Sequence, residues 1–216
     1  MGAFLSIVTR TFRRPVGLAR CVDSVARQSE PDIEHIILHD SVGRGVGWSY
    51  ENLRSAQPGG EYVFILDDDD YLIDEGFVAA LKGFVIKHQW PDIVFVSMDV
   101  QGRILPEWTE GLRLGDIAVS CFALRREVWL EHAGDFSGDY GGDFHFIDAV
   151  YGCERQHTSA RLERVVSRVD RVSYGEPENI YPAAERLSGA AVAQGGKTDT
   201  GNDAAAGRDT RQRGRG

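Results

Sequence analysis

The chain has few cysteines: three in 216 residues, Cys21, Cys121 and Cys153, an odd number with no Cys-x-x-Cys spacing. That excludes the disulfide framework of a small secreted domain and fits reduced thiols, all three of them structural. Long apolar runs are also missing. Nothing approaches the roughly twenty residues of a spanning helix, so no stable membrane insertion is expected. The opening Met1-Gly2-Ala3-Phe4-Leu5-Ser6-Ile7-Val8 runs straight into strand-like sequence, without the basic and apolar regions of a secretory leader. A cytoplasmic location is the expectation. Positive charge is short as well, with a formal net charge of -9. Proteins that bind phosphate backbones gather Lys and Arg to replace condensed counterions, so nucleic acid is not an expected partner. Nucleotides are not excluded, because a bound divalent ion reverses the local sign.

What is present is an ordinary hydrophobic fraction of 42%, enough for one sizeable core. Short β-branched runs at residues 4–9, 34–39, 62–66 and 93–97 alternate with amphipathic segments. In the first of these, Leu18, Val22, Val25 and Ala26 recur at helical spacing after Pro15; in another, Phe77, Leu81, Phe84 and Val85 do so after Asp74. This is the pattern of βαβ units and predicts an α/β fold with a mostly parallel central sheet flanked by helices. Residues 101–116, with Gly, Pro and Trp but no periodicity, predict an irregular excursion. A strand at 117–124 and helices at 126–133 and 144–151 follow. From Ala183 onward large apolar residues almost vanish, which predicts a disordered tail over 183–216. Its Arg211, Arg213 and Arg215 are read as a solvated terminus.

The chemistry concentrates where the apolar run Tyr62-Val63-Phe64-Ile65-Leu66 meets Asp67-Asp68-Asp69-Asp70. In open α/β sheets, ligands bind beyond the carboxyl ends of strands. Hard cations such as Mg2+ or Mn2+ take oxygen ligands, commonly one or two carboxylates plus substrate phosphates. At a turn Asp67 and Asp69 can converge on one ligand, while Asp68 and Asp70 orient the loop. The plain alternative is an acidic turn capping the helix near Asp74, a role that Asp70 and Asp74 fit as well. An EF-hand is excluded, because its sixth and twelfth positions would be Leu72 and Val78.

The stretch from Gly59 to Leu72 resembles the segment of family-2 glycosyltransferases of the GT-A fold in which a strand delivers an Asp-x-Asp motif. Other stretches agree in the same order. Ser6-Ile7-Val8-Thr9-Arg10-Thr11-Phe12-Arg13-Arg14-Pro15 is similar to that family's opening strand and nucleotide-contacting loop, and Ile36-Ile37-Leu38-His39-Asp40-Ser41 to its second strand. Ser120 to Trp129, Ala133-Gly134-Asp135-Phe136 and Gly141-Gly142-Asp143-Phe144-His145-Phe146 are similar to its acceptor-side strand, helix and catalytic loop. The likeness spans roughly residues 4–174 and rests on motif order and spacing.

The resemblance implies one GT-A-like, Rossmann-like domain over 1–182, with a nucleotide-sugar half at 1–100 and a smaller acceptor-side half at 101–182. It implies transfer of a sugar from a nucleotide-diphosphate donor, a UDP-sugar first among them, to the hydroxyl of a glycan or other acceptor, with inversion and with Mn2+ or Mg2+ as cofactor. By position, Asp143 would be the general base. Thr9, Thr11, Arg13, Asp40, Asn52, Asp67 and Asp68 would serve the donor, and Asp69 with Asp67 the metal. On the acceptor side stand Trp108 and His145, while Trp129 is read as packing under its helix. Asp143 also suits the N-cap of the helix at 144–151.

The chain departs from the family pattern at Gly142-Asp143, where a Glu-Asp pair is usual, and in having no histidine after His157. Either His145 or His157 is a candidate replacement. Asn52 lacks the basic residue that often precedes it, and Arg44 is the candidate substitute. Two rival readings follow: a non-catalytic sugar-nucleotide or glycan-binding module on the same fold, and a sugar nucleotidyltransferase. The second would need a Gly-rich basic loop after the first strand, and residues 10–15 supply arginines without glycines.

Overall fold

The computed structural model describes residues 2–108, 111–138, 141–152 and 157–169. The tail expected over 183–216, and Cys153, lie outside the described residues.

The chain opens with β1 (Leu5–Thr11), whose alternation buries Leu5 and Ile7 on one face and Val8 on the other. Helix α1 (Pro15–Ala26) starts on Pro15, whose fixed φ suits a first helical position, and buries Cys21 and Val25. β2 (Ile33–His39), α2 (Val46–Leu53), β3 (Tyr62–Ile65) and the short β4 (Asp70–Leu72) follow, then α3 (Phe77–Lys87) and β5 (Ile93–Val100). β6 (Arg103–Leu105) folds back on β5; later come β7 (Phe122–Arg125), α4 (Arg126–His132), α5 (Gly142–Gly152) and β8 (Ser159–Val169).

These strands form one sheet in the order β2-β1-β3-β7-β5-β8-β4, with β6 paired to β5. The two-residue period separates two apolar layers. Tyr62, Phe64 and Leu66 face α1 and α3, beside Phe77, Leu81 and Val85. Val63, Ile65, Phe122 and Leu124 face the other way, onto Trp129, Phe136 and Phe146. Trp129 is 1% exposed and packs there, as expected of it. Cys21 and Cys121 are free and buried.

Several expectations need correction. Parallel pairing holds for β1–β2, β1–β3 and β5–β8, but β3–β7, β5–β7, β5–β6 and β4–β8 are antiparallel, so the sheet is mixed. The reason is β7, which enters after an irregular excursion instead of a helical crossover and so runs opposite to its neighbours. The excursion itself contains β6. The strand expected at 117–124 is shorter, because Val119–Cys121 is a 3-10 turn. The acidic run leads into a strand and caps no helix: the N-cap of α3 is Gly76, without a side-chain cap, and Asp74 instead closes the turn before it, its Oδ1 accepting the Gly76 N–H at 3.0 Å. Helix α2 and strand β8 had no signal: one is built of poor helix formers, the other mixes charge into every second or third position.

Gly60 marks the tightest backbone approach at the start of β3. A Cβ there would lie 2.6 Å from the Ser6 nitrogen and 2.8 Å from its Oγ. Gly83, inside α3, would meet nothing within 4 Å. Chemical denaturation should therefore show Gly60→Ala destabilised by about 1–3 kcal/mol and Gly83→Ala stabilised by about 0.5–1 kcal/mol through helix propensity.

Candidate active site

The register Val8↔Ile65 brings the carboxyl ends of β1 and β3 level. The loop at residues 10–14 and the Asp67–Asp70 run therefore face each other. Arg10 lies on Val8's face of β1, pointing toward α2. Its Nε donates to Asp67 Oδ1 at 2.8 Å and its Nη2 to Oδ2, a two-pronged pair. The guanidinium also covers the Tyr50 ring at 4.2 Å. Burial alone would lower the Arg10 pKa, but Asp67 outweighs it and holds the charge firmly. Arg14 Nη1 reaches Asp68 Oδ1 at 3.0 Å and Asp69 Oδ2 at 2.7 Å. Asp70 accepts a hydrogen bond from the Ser120 hydroxyl at 2.8 Å.

Arg10, Arg14, Tyr50 and the Asp67–Asp70 run line a cavity of about 630 Å3, which Asp143 enters from the first turn of α5. Six carboxyl groups, those of Asp40, Asp67 to Asp70 and Asp143, meet two guanidiniums on its wall. The imbalance shows in their acidity. Burial pushes Asp68 up to about 6, against the pull of Arg14 and Thr11 and with help from Asp69 and Asp67. Burial likewise raises Asp69, and raises Asp70 well above the usual carboxylate range. Asp143 is raised by burial, opposed by the Phe144 N–H, which it accepts at 2.8 Å. An excess of hard oxygen donors over cations is the chemistry that suits Mg2+ or Mn2+, with Asp69 and Asp67 the expected ligands. Among the described residues no group of three or more His, Cys, Asp or Glu side chains is set to hold a metal alone, so such an ion would need oxygens from a ligand.

The other candidates divide. Thr11, Asp40 and Asn52 line the cavity. The Asp40 carboxylate is engaged in its own loop, accepting N–H groups from Val42, Gly43 and Arg44 at 3.0, 2.8 and 2.5 Å. Although partial burial would raise its pKa, these bonds and the Arg44 charge hold it below the usual range. Thr9 is fully buried beneath the sheet, its hydroxyl 2.8 Å from His35 Nε2 and 3.5 Å from Cys21 Sγ. Arg13, at φ 51, covers the Phe12 ring and does not line the cavity. Nor does Trp108, which lies under the Arg161 guanidinium at 3.4 Å, in a separate shallow pocket.

Neither candidate histidine reaches the cavity. His145 is exposed on α5, and His157 meets His132, with their Nε2 atoms 3.2 Å apart. Arg44 stacks on Trp48 at 4.7 Å instead of standing before Asn52.

Sequence reasoning passed over Arg10, Arg14, Tyr50, Trp48 and Ser120. The signal for the arginines was available: four adjacent carboxylates require counterions, and strand parity separates Arg10 from Thr9 and Thr11. The missing member of the Glu-Asp pair also has a physical reason. A Cβ on Gly142 would lie 2.7 Å from the Ser137 carbonyl oxygen and 3.2 Å from the Tyr50 ring. Tyr50 occupies the space a second carboxylate would need.

No family model matches the chain, and no curated protein matches it in sequence. Solved structures do resemble it. S. aureus TarS 1-349 in complex with UDP-GlcNAc is 14% identical over 85% of this chain and 63% of that one, with a TM-score of 0.59. The mannosyltransferase PcManGT from Pyrobaculum calidifontis, in complex with GDP-Man and Mn2+, is 15% identical over 92% of this chain and 66% of that one, at a TM-score of 0.54. This chain spans 61% of the length of the first TarS structure it matches. At such identities the likeness concerns the fold, which is that of the GT-A glycosyltransferases.

Two outcomes are expected of this geometry. A carboxyl whose folded pKa exceeds its unfolded value loses stability as pH rises between the two. Stability should therefore increase as pH falls from 7 toward 5, and thermal unfolding of Asp68→Asn should show a flatter dependence in that window; parallel curves would contradict the site's charge balance. Gly142→Glu should lower the melting temperature instead of adding a working second acid, because the position has no room for a side chain.

Proposed function

We propose that the chain is a glycosyltransferase that moves a sugar from a nucleotide-diphosphate donor to an acceptor hydroxyl. The observation that carries this is the meeting of the strand-borne Asp67–Asp70 run and Asp143 in one cavity at the carboxyl ends of β1 and β3. Solved neighbours of the same fold hold UDP-GlcNAc in one case and GDP-Man with Mn2+ in another, which supports a nucleotide-sugar donor. A UDP-sugar is our first choice. The nucleotide half falls in residues 1–100 and the acceptor-side half in 101–182.

In this proposal Thr11, Asp40 and Asn52 shape the nucleoside end. Thr9 and Arg13 act only by holding the loop that carries Thr11 and Arg14. Asp69, with Asp67, would hold a divalent ion, which when bound supplies positive charge for the departing diphosphate. Arg10 fixes the orientation of Asp67, and Arg14 offsets the charge of Asp68 and Asp69. The Asp143 carboxylate takes the acceptor's proton as the acceptor oxygen bonds to the anomeric carbon from the face opposite the leaving group. The bond to the diphosphate breaks, its electron pair leaves with the phosphate, and the centre inverts. A carboxyl raised by burial is a better base at neutral pH than an exposed one.

A second reading, a sugar-nucleotide-binding module without turnover, is favoured by one observation: the loop before α5 has a single carboxylate, and Gly142 beside it has no room for a second, with the Ser137 carbonyl and the Tyr50 ring against it. Thermal shift and donor turnover separate the two. Nucleotide sugar with Mn2+ should raise the melting temperature, and Asp69→Ala should remove that rise. Asp143→Asn should keep the rise but lose at least a hundredfold in transfer, the scale of a general base. A full thermal response without release of nucleotide diphosphate across an acceptor panel would establish the binding module; no response to any donor would overturn both.

A further inference from the structure

The cavity also has an apolar part of its lining to which the donor roles above assign nothing. Beside Asp70 and Asp143, this lining includes Met98 and Val100 at the end of β5, Leu105 on β6, Leu114 in the excursion, Ile117 just after it, and Val169 at the end of β8. Met98, Leu105 and Ile117 are 1%, 5% and 3% exposed and form the floor. Leu114 stands at the mouth, 55% exposed. It is tied to the candidate base: a Cβ on Gly141, two residues before Asp143, would lie 2.4 Å from Leu114 Cδ1. Asp70 and Val169 are register partners, so the wall also begins directly beside the acidic run.

Among the described residues this stretch offers no side chain that donates or accepts a hydrogen bond. A free glycan laid against it would lose water from several hydroxyls without replacement partners, which is unfavourable. An apolar group gains instead with each methylene removed from water. Resting on the transferase reading above, we propose that the acceptor carries its reacting hydroxyl next to an apolar body, an alkyl, isoprenoid or aryl group, which lies along the Met98–Leu114–Val169 wall. The occupant is this acceptor and not a second copy of the chain, because the wall is continuous with the cavity that holds Asp143 and lies within it.

The test compares n-octyl β-D-glucoside, kept below its micellar concentration, with methyl β-D-glucoside by titration calorimetry on the full chain. The octyl compound should bind at least tenfold more tightly. Leu114→Asp should erase that preference and Leu114→Ala should reduce it; the position is exposed enough for both variants to leave folding intact. Leu130→Asp, at an apolar residue 61% exposed elsewhere on α4, should preserve it. Equal or absent binding of the two glucosides, or a preference that survives Leu114→Asp, overturns the proposal, as does concentration-dependent self-association that Leu114→Asp abolishes. A separate titration of the wild-type chain with nucleotide sugar and Mn2+ tests the transferase reading. Donor binding without an alkyl preference refutes the acceptor class alone, and an alkyl preference without donor binding refutes the donor assignment alone.

Discussion

Four carboxylates in succession at the end of a buried strand repel one another, and two arginines, Arg10 near the end of β1 and Arg14 in the loop after it, are what make the arrangement foldable. Asp68 is 4% exposed and Asp70 6%. Charges so far from water are strongly disfavoured unless paired, and removing one member of such a pair leaves the other uncompensated. Arg10 grips Asp67 with two nitrogens, and one nitrogen of Arg14 serves both Asp68 and Asp69. The compensation is incomplete: burial, with the neighbouring carboxylates adding to it, keeps the pKa values of Asp68, Asp69 and Asp70 raised. The core architecture follows from holding these groups together: β1 and β3 must be adjacent and parallel, and Ser120 must be turned inward at a break before β7.

Asp143 reaches the same cavity by a different route. Its helix is pinned by aromatic packing, Phe136 lying flat on Phe146 with centroids 3.7 Å apart and Tyr50 stacked on Phe136 at 6.0 Å. Close backbone approaches add to this, since a Cβ on Gly138 would lie 3.2 Å from the Gly47 Cα. Tyr50 thus links two parts of the cavity: its ring lies under Arg10, the partner of Asp67, and against Gly142, the neighbour of Asp143. A change at this one ring would disturb the surroundings of Asp67 and of Asp143 together.

The parts of this fold that declared themselves in the sequence are those with strong local pattern. β1, β2, β3, α1 and α3 combine a clear period with β-branched residues or a proline start, and the acidic run was conspicuous by position. What stayed hidden depends on tertiary partners. Helix α2 exists because Leu53 buries against β1's neighbours and its Gly and Ser residues permit close approach, none of which propensity reveals. β8 is a strand because β5 and β4 both need a partner. Thr9 misled because strand parity, not motif position, decides which face a side chain occupies: it points into the α1 layer, whereas Arg10, one residue on, reaches the cavity. The fold was legible from local pattern, whereas telling which polar residues at the end of β1 enter the cavity required strand parity and the need of the carboxylates for counterions, which motif position passes over.

The placement of β8 has a consequence for how the molecule is made. Asp70 lies on β4, whose only strand partner among the described residues is β8, and their paired positions, Asp70 and Val169, stand about a hundred residues apart in the chain. Contacts of such separation form late, because the loop they close must first be ordered. During synthesis the β1–β3 half can therefore assemble and offset its arginines against Asp67 to Asp69 while Asp70 and the apolar wall beside it still lack their neighbour. The cavity wall is completed by β8, the last strand among the described residues to leave the ribosome, so a chain that stops short of it has the acidic cluster without the complete cavity.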